Sequence, residues 1–359
     1  MQRRFTMAVE KRVFGKFDEK TDVYLLKITN SSGASVSLIT IGAGIQALEV
    51  PDKNGKIADV VLGFDDVKYY TIPSTCCYSG LVVGRWANRI RDGKFTFDGK
   101  AYSTTINQGT WTLHGGGSFS YTPWDIEEIG EDYVVFKRFS PDGEDGFGGN
   151  YTMRVKYTFT EDNTLRLEYS VISDINNIAN PTNHVYFNLT ADPEKTILDH
   201  YIRIDADNIT ECDESQLMTG RLADIRGTML DFRELHRIGE RIEQPFGAVL
   251  PGIGYDNNFC LNKGDNVFGF AAELIDKESG RKLEVYTDLP GMQFYAGGWM
   301  AKDGTAGKKT TGPIKYRRGI ALETQFYPDS VNIPEFPVRY VKANEEFKTV
   351  TEFRFSTIK

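Results

Sequence analysis

The chain has 359 residues, a formal net charge of −8 at neutral pH and an isoelectric point near 5.3. That balance argues against a broad surface for nucleic acid or anionic membrane. No stretch approaches the roughly 20 apolar residues of a membrane-spanning helix, and the length suffices for a large buried core.

Strand periodicity recurs along the chain. Asn54-Gly55 and Asp98-Gly99 are hairpin-turn dipeptides, because glycine tolerates the positive φ that such turns need. Met153, Val155, Tyr157 and Phe159 alternate with polar residues, as do Leu165, Leu167, Tyr169 and Val171, and Asp162-Asn163 between the two runs reads as a turn. Phe232 to Gly239 reads as a short helix or turn ending at glycine. Ser279-Gly280 turns Ala272–Ile275 back onto Leu283–Tyr286. Lys302 to Gly312, rich in Gly, Thr and Lys, reads as a mobile, solvated basic loop. Nothing suggests a series of βαβ units or an internal repeat. The expected fold is all-β, one large antiparallel β-sandwich, with residues 1–359 as a single domain.

Four cysteines in so long a chain, at 76, 77, 212 and 260, are not a disulfide scaffold. The amino end is basic and leads into Glu10-Lys11-Arg12 without an apolar signal core. Free thiols and a cytoplasmic location are the expectation.

Several catalytic motifs fail. Gly115-Gly116-Gly117 lacks the GxGxxG spacing, and Gly307-Lys308-Lys309-Thr310 lacks both the first glycine and the Ser/Thr of a P-loop. None of the four histidines sits in HExxH, and no Cys/His cluster has zinc spacing. No GxSxG elbow is present. Neither a metal nor another cofactor is expected.

What remains is a set of polar phrases. They are Gly84-Arg85-Trp86-Ala87-Asn88-Arg89-Ile90, Leu113-His114-Gly115-Gly116, Asn183-His184-Val185-Tyr186-Phe187-Asn188-Leu189, Tyr255-Asp256-Asn257-Asn258-Phe259, Pro290-Gly291-Met292-Gln293-Phe294-Tyr295 and Glu323-Thr324-Gln325 with Pro328-Asp329. In a strand, His184, Tyr186 and Asn188 share one face, over Val185, Phe187 and Leu189 on the other. Glu323 ends the apolar run Ile320-Ala321-Leu322, where partial burial raises a carboxyl pKa. The competing reading of Glu323 is a structural ion pair, with Arg89 as partner. His200 and His236 read as packed or surface histidines. Trp86 reads as core, and Trp299 is left open between core and cleft.

Together and in this order, the phrases resemble the aldose 1-epimerase, or galactose mutarotase, family over about residues 84 to 332. The resemblance implies a galactose mutarotase-like sandwich with an open sugar cleft. It implies His184 as general acid, Glu323 as general base, and Asn88, Arg89, His114, Asp256 and Gln293 as contacts to sugar hydroxyls. Two positions depart from the family pattern. Ala296-Gly297-Gly298 stands where Thr-Gly-Asn is usual, and Val185 where Ser or Thr is common.

The implied chemistry opens a cyclic aldose by taking a proton from the anomeric hydroxyl and giving one to the ring oxygen. That requires Glu323 deprotonated and His184 protonated near neutral pH. The expected partner is a monosaccharide, with no nucleic acid and no membrane, and the protein is expected as a monomer or weak homodimer. Alternatives are a hexose-phosphate 1-epimerase using Lys308, Lys309, Lys315, Arg317 and Arg318, a non-catalytic sugar-binding module, and a glycoside hydrolase using Asp256 and Glu323.

Overall fold

The computed structural model describes residues 8–214, 216–244 and 253–358. Its three main sheets are antiparallel: one of five strands near the amino end, one of nine and one of six. Turn chemistry sets much of this. Asp98 and Gly99 both have positive φ, 50° and 74°, and close the hairpin between Lys94–Phe97 and Lys100–Ser103. Asn163, at φ 62°, turns Tyr151–Phe159 onto Thr164–Ser173, where the alternating rows meet in register.

Alternation then decides which faces are dry. Met153, Val155, Tyr157 and Phe159 are buried in the main core with Leu165, Leu167 and Val171. Met292, Phe294, Ile320 and Leu322 of the six-stranded sheet enter the same core. Phe187 packs against Phe353 of the nine-stranded sheet at 5.1 Å between ring centroids, so the sheets share one sandwich interior. The opposite face of the six-stranded sheet is free to carry polar groups.

Of the two readings of Phe232 to Gly239, short helix or turn, the structure takes the turn, preceded by a short strand. His236–Arg237 is a short strand, and Ile238–Glu240 is a 3-10 turn. The sheet edge captures this segment: Ile204 N–H donates to Phe232 O, and Ile238 N–H donates to His200 O. The Lys302–Gly312 stretch is a solvated loop only in part: Lys302 and Lys309 are exposed, but the stretch holds a small hairpin and a buried lysine. Gly307–Lys308 pairs with Gly312–Pro313. Lys308 is 3% exposed; its ammonium pairs with Asp59 and also donates to Gln46 O at 2.7 Å.

Among the described residues no helix is long and apolar enough to cross a membrane.

Candidate active site

Strand register assembles the cavity floor. Asp256–Leu261, Gly291–Tyr295 and Ile320–Gln325 are neighbours in the six-stranded sheet. Gln293 lies opposite Asn258 on one side and Glu323 on the other, and Asp256 lies opposite Tyr295. The side-chain period of two therefore puts Asp256, Gln293, Tyr295 and Glu323 on one face. Met292, Phe294 and Leu322 point into the core behind them.

His184 arrives differently. The expected strand is interrupted: Thr182–Asn183 pairs with Val82–Val83, whereas Tyr186–Phe187 pairs with Ile320–Ala321. His184 spans the step between sheets, its N–H donating to Leu81 O and its carbonyl accepting from Gly80 N–H. The alternation holds for His184 and Tyr186, which face the cavity, and for Val185, Phe187 and Leu189, which are core. It fails at Asn188. That amide donates to Lys195 O and Arg318 O instead.

The third wall comes from Asn88, Arg89 and His114. Arg89 pairs with Leu113 across a two-residue ladder. Asn88 and His114 have φ of 62° and 50°, the left-handed region in which Asn and His are enriched among non-glycine residues. Asn88 N–H donates to His114 Nδ1 at 3.2 Å, and His114 N–H returns a bond to Asn88 O at 2.9 Å. The first arginine of that phrase is structural. Arg85 is buried and donates to the carbonyls of Ser140, Pro141 and Gly148. Trp86 is fully buried, as its sequence context suggests.

All seven sequence-predicted site residues line one cavity of about 270 Å³. Within it His184 Nε2 stands 3.5 Å from Glu323 Oε1. Asp256 Oδ1 accepts from Gln293 Nε2 at 2.7 Å, and Arg89 reaches within 4.0 Å of Asp256 Oδ2. The expected alternative of a Glu323–Arg89 ion pair is thus displaced, since Arg89 is directed at Asp256. Sequence reasoning missed Tyr78, whose ring stacks over His184 with centroids 5.9 Å apart and meets His114 edge-on at 4.7 Å. No local pattern marks it. It also missed the contact of Trp299 Nε1 with Asp256 Oδ2 at 3.0 Å.

Electrostatics reverses the expected protonation. Burial, aided by the Asp256 charge and opposed by Arg89, pushes Glu323 well above the usual carboxylate range. Burial pushes His184 down to about 4, against the pull of Asp256. Burial, His184 and Arg89 keep His114 well below the ordinary imidazole value. Both shifts favour the neutral forms, with the proton of the His184–Glu323 pair drawn toward Glu323. The cause is desolvation: a neutral pair costs less to bury than a charged one. Glu323 Oε2 is buried with no hydrogen-bond partner among the described residues.

His114, His184 and Glu323 bring potential ligand atoms within 4.8 Å of one another. The donor set suits a cation poorly. Asn88 N–H occupies His114 Nδ1, which leaves the proton of the neutral ring on Nε2, and a protonated nitrogen cannot ligate. The same nitrogen is well placed to donate to a neutral oxygen.

The fold is an antiparallel sandwich whose cleft sets a buried imidazole beside a buried carboxyl, the arrangement of an all-β protein suited to proton transfer. The family model described as aldose 1-epimerase matches residues 24–354, and the chain belongs to that family. It is 38% identical to galactose mutarotase of Bos taurus over 98% of this chain and 99% of that one. It is 33% identical to aldose 1-epimerase of Escherichia coli K12, covering 92% and 94% of the two chains. The solved aldose epimerase homologue from C. elegans superimposes with a TM-score of 0.83 at 29% identity, over 93% of this chain and 99% of that one. Family membership makes this chain an isomerase.

Proposed function

We propose that this protein interconverts the α and β anomers of free hexoses such as galactose and glucose, by acid–base opening and reclosure of the ring. The observation that carries the reading is the 3.5 Å separation of His184 Nε2 and Glu323 Oε1 in the wall of the cavity. The anomeric hydroxyl and the ring oxygen are bonded to the same carbon. An acid and a base that serve both must stand close together, as these do.

Glu323 takes the anomeric hydroxyl proton and His184 gives a proton to the ring oxygen, so the C1–O5 bond breaks and an aldehyde forms. Rotation about C1–C2 and closure on the other face reverse both transfers. The reactive carboxylate–imidazolium form holds the same number of protons as the neutral pair. Sugar binding shifts that proton: a hydroxyl donating to Glu323 and a ring oxygen accepting from His184 both favour the charged form. Asn88, Arg89, His114, Asp256 and Gln293 hold the other hydroxyls and supply orientation.

Two alternatives lose ground. None of Lys308, Lys309, Lys315, Arg317 and Arg318 lines the cavity. Lys308 pairs with Asp59, Arg317 with Glu243, and Arg318 donates to the carbonyls of Asp192 and Thr311. A glycoside hydrolase needs two working carboxylates flanking the bond, whereas both oxygens of Asp256 are held by Gln293 and Trp299.

Polarimetry of freshly dissolved α-glucose and α-galactose tests the proposal. A rate above buffer, unaffected by EDTA, is expected. A rate equal to buffer for all free aldoses would refute it.

A further inference from the structure

The mouth of the cavity carries a residue that the acid–base scheme does not use. After the strand Gly291–Tyr295 the chain turns through Gly297, at φ 72°, and Gly298. A Cβ on Gly298 would lie 1.9 Å from Ile253 O, so the turn accepts no side chain there. The turn sets Trp299 at the cavity wall.

Trp299 is fixed at two points. Its backbone N–H donates to Tyr295 Oη at 2.8 Å, and its indole Nε1 donates to Asp256 Oδ2 at 3.0 Å. Yet the residue is 53% exposed, while Trp86 and Trp124 are buried. Its polar edge is committed and much of its apolar surface is open at the mouth. An indole in this state contributes little to the core, but it offers a flat apolar surface to a ligand. Asp256 is held from two directions, by Gln293 on Oδ1 and Trp299 on Oδ2. Two donors fix the carboxylate plane, and its remaining lone pairs are left to accept from a hydroxyl.

We propose that Trp299 is a substrate-positioning residue. Its indole N–H orients Asp256 to receive one sugar hydroxyl, and its open face covers the C–H face of the bound pyranose. The proposal rests on the free-sugar reading above.

The test combines kinetics with fluorescence. Trp299→Ala should raise KM for galactose and glucose by about fivefold or more, with kcat within about threefold of wild type. Trp299→Phe keeps a ring face and should raise KM less. The hydrogen-bond part of the loss in Trp299→Phe should vanish in an Asp256→Ala background, because no acceptor is left for the indole N–H to orient. Saturating galactose should shield the wild-type fluorescence from acrylamide and leave Trp299→Phe unshielded. Unchanged KM in Trp299→Ala, a kcat loss at constant KM, full additivity with Asp256→Ala, or equal quenching with and without sugar would each overturn the role. Turnover without shielding overturns Trp299 alone. Neither turnover nor shielding with any free aldose overturns the sugar reading as well.

Discussion

Gln293 and Glu323 are direct cross-strand partners, facing the same cavity from adjacent antiparallel strands. Because the side-chain period is two, a one-residue slip of either strand would send its residue into the core. Glu323 is only 2% exposed, so register places a carboxyl where water cannot stabilise its charge. The chemistry proposed here depends on that placement.

Replacing either proton carrier should remove turnover and spare binding. Glu323→Gln and His184→Asn are each expected to lower kcat by on the order of 10²-fold or more. The double variant should be little worse than either single, since the two act as a unit. Polarimetric kcat and KM check this. A folded Glu323→Gln protein with full kcat would rule out the mechanism.

The pH profile should be broad, with its limbs assigned opposite to simple expectation. His184 is depressed to about 4 and Glu323 is raised well above its ordinary value. As pH falls, His184 gains the pair's second proton near 4 and kcat/KM declines. As pH rises, Glu323 loses the pair's only proton and kcat/KM declines again. Both are macroscopic constants of the pair. Imidazole ¹⁵N shifts should show His184 neutral at pH 7 without sugar; a charged ring there would contradict the assignment.

Glu323 also has a stability signature. Its folded pKa is raised, so its favourable contribution is complete below the unfolded carboxyl value and is lost as pH rises through the folded value. Glu323→Gln removes that loss. The variant should melt higher than wild type by about 1–3 °C at pH 8, and the gain should shrink toward pH 4. Paired scanning calorimetry at the two pH values decides; a gain larger at pH 4 has the wrong sign.

Substrate charge offers a separate check. None of the five candidate phosphate-holding cations lines the cavity; Lys308, Arg317 and Arg318 are engaged by Asp59, Glu243 and backbone carbonyls, and Asp256 stands in the cavity wall. Glucose should show a kcat/KM at least about tenfold above glucose 6-phosphate. Preference for the phosphate ester would move the protein to the hexose-phosphate reading.

The remaining histidines separate stability from activity. His200 is fully buried and its Nε2 accepts from Leu189 N–H at 2.9 Å. His200→Ala leaves a cavity and an unpaired donor, which should cost about 1–3 kcal/mol while sparing kcat of the folded protein. His236 is partly exposed beside Glu240, and His236→Ala should stay within about 0.5 kcal/mol of wild type. Urea titration and polarimetry of both variants provide the comparison.

Much of this molecule could be read from local order. Alternation in 153–159 and 165–171, with turn residues at 98–99 and 162–163, specified antiparallel sheet, because side-chain direction in a strand depends only on neighbours in the chain. The polar phrases likewise named seven residues that meet in one cavity. Three features were decided elsewhere. Glu323 is pushed toward its protonated form because the whole sandwich desolvates it, and no local run of residues encodes a dielectric. Lys308 looked like part of a solvated loop because its partner Asp59 lies 249 positions away. Trp299 and Tyr78 join the site through a two-glycine turn and a left-handed backbone at Tyr78. The chain's own periodicities determined its strands; long-range packing determined which of its charges survive burial and which side chains stand at the mouth.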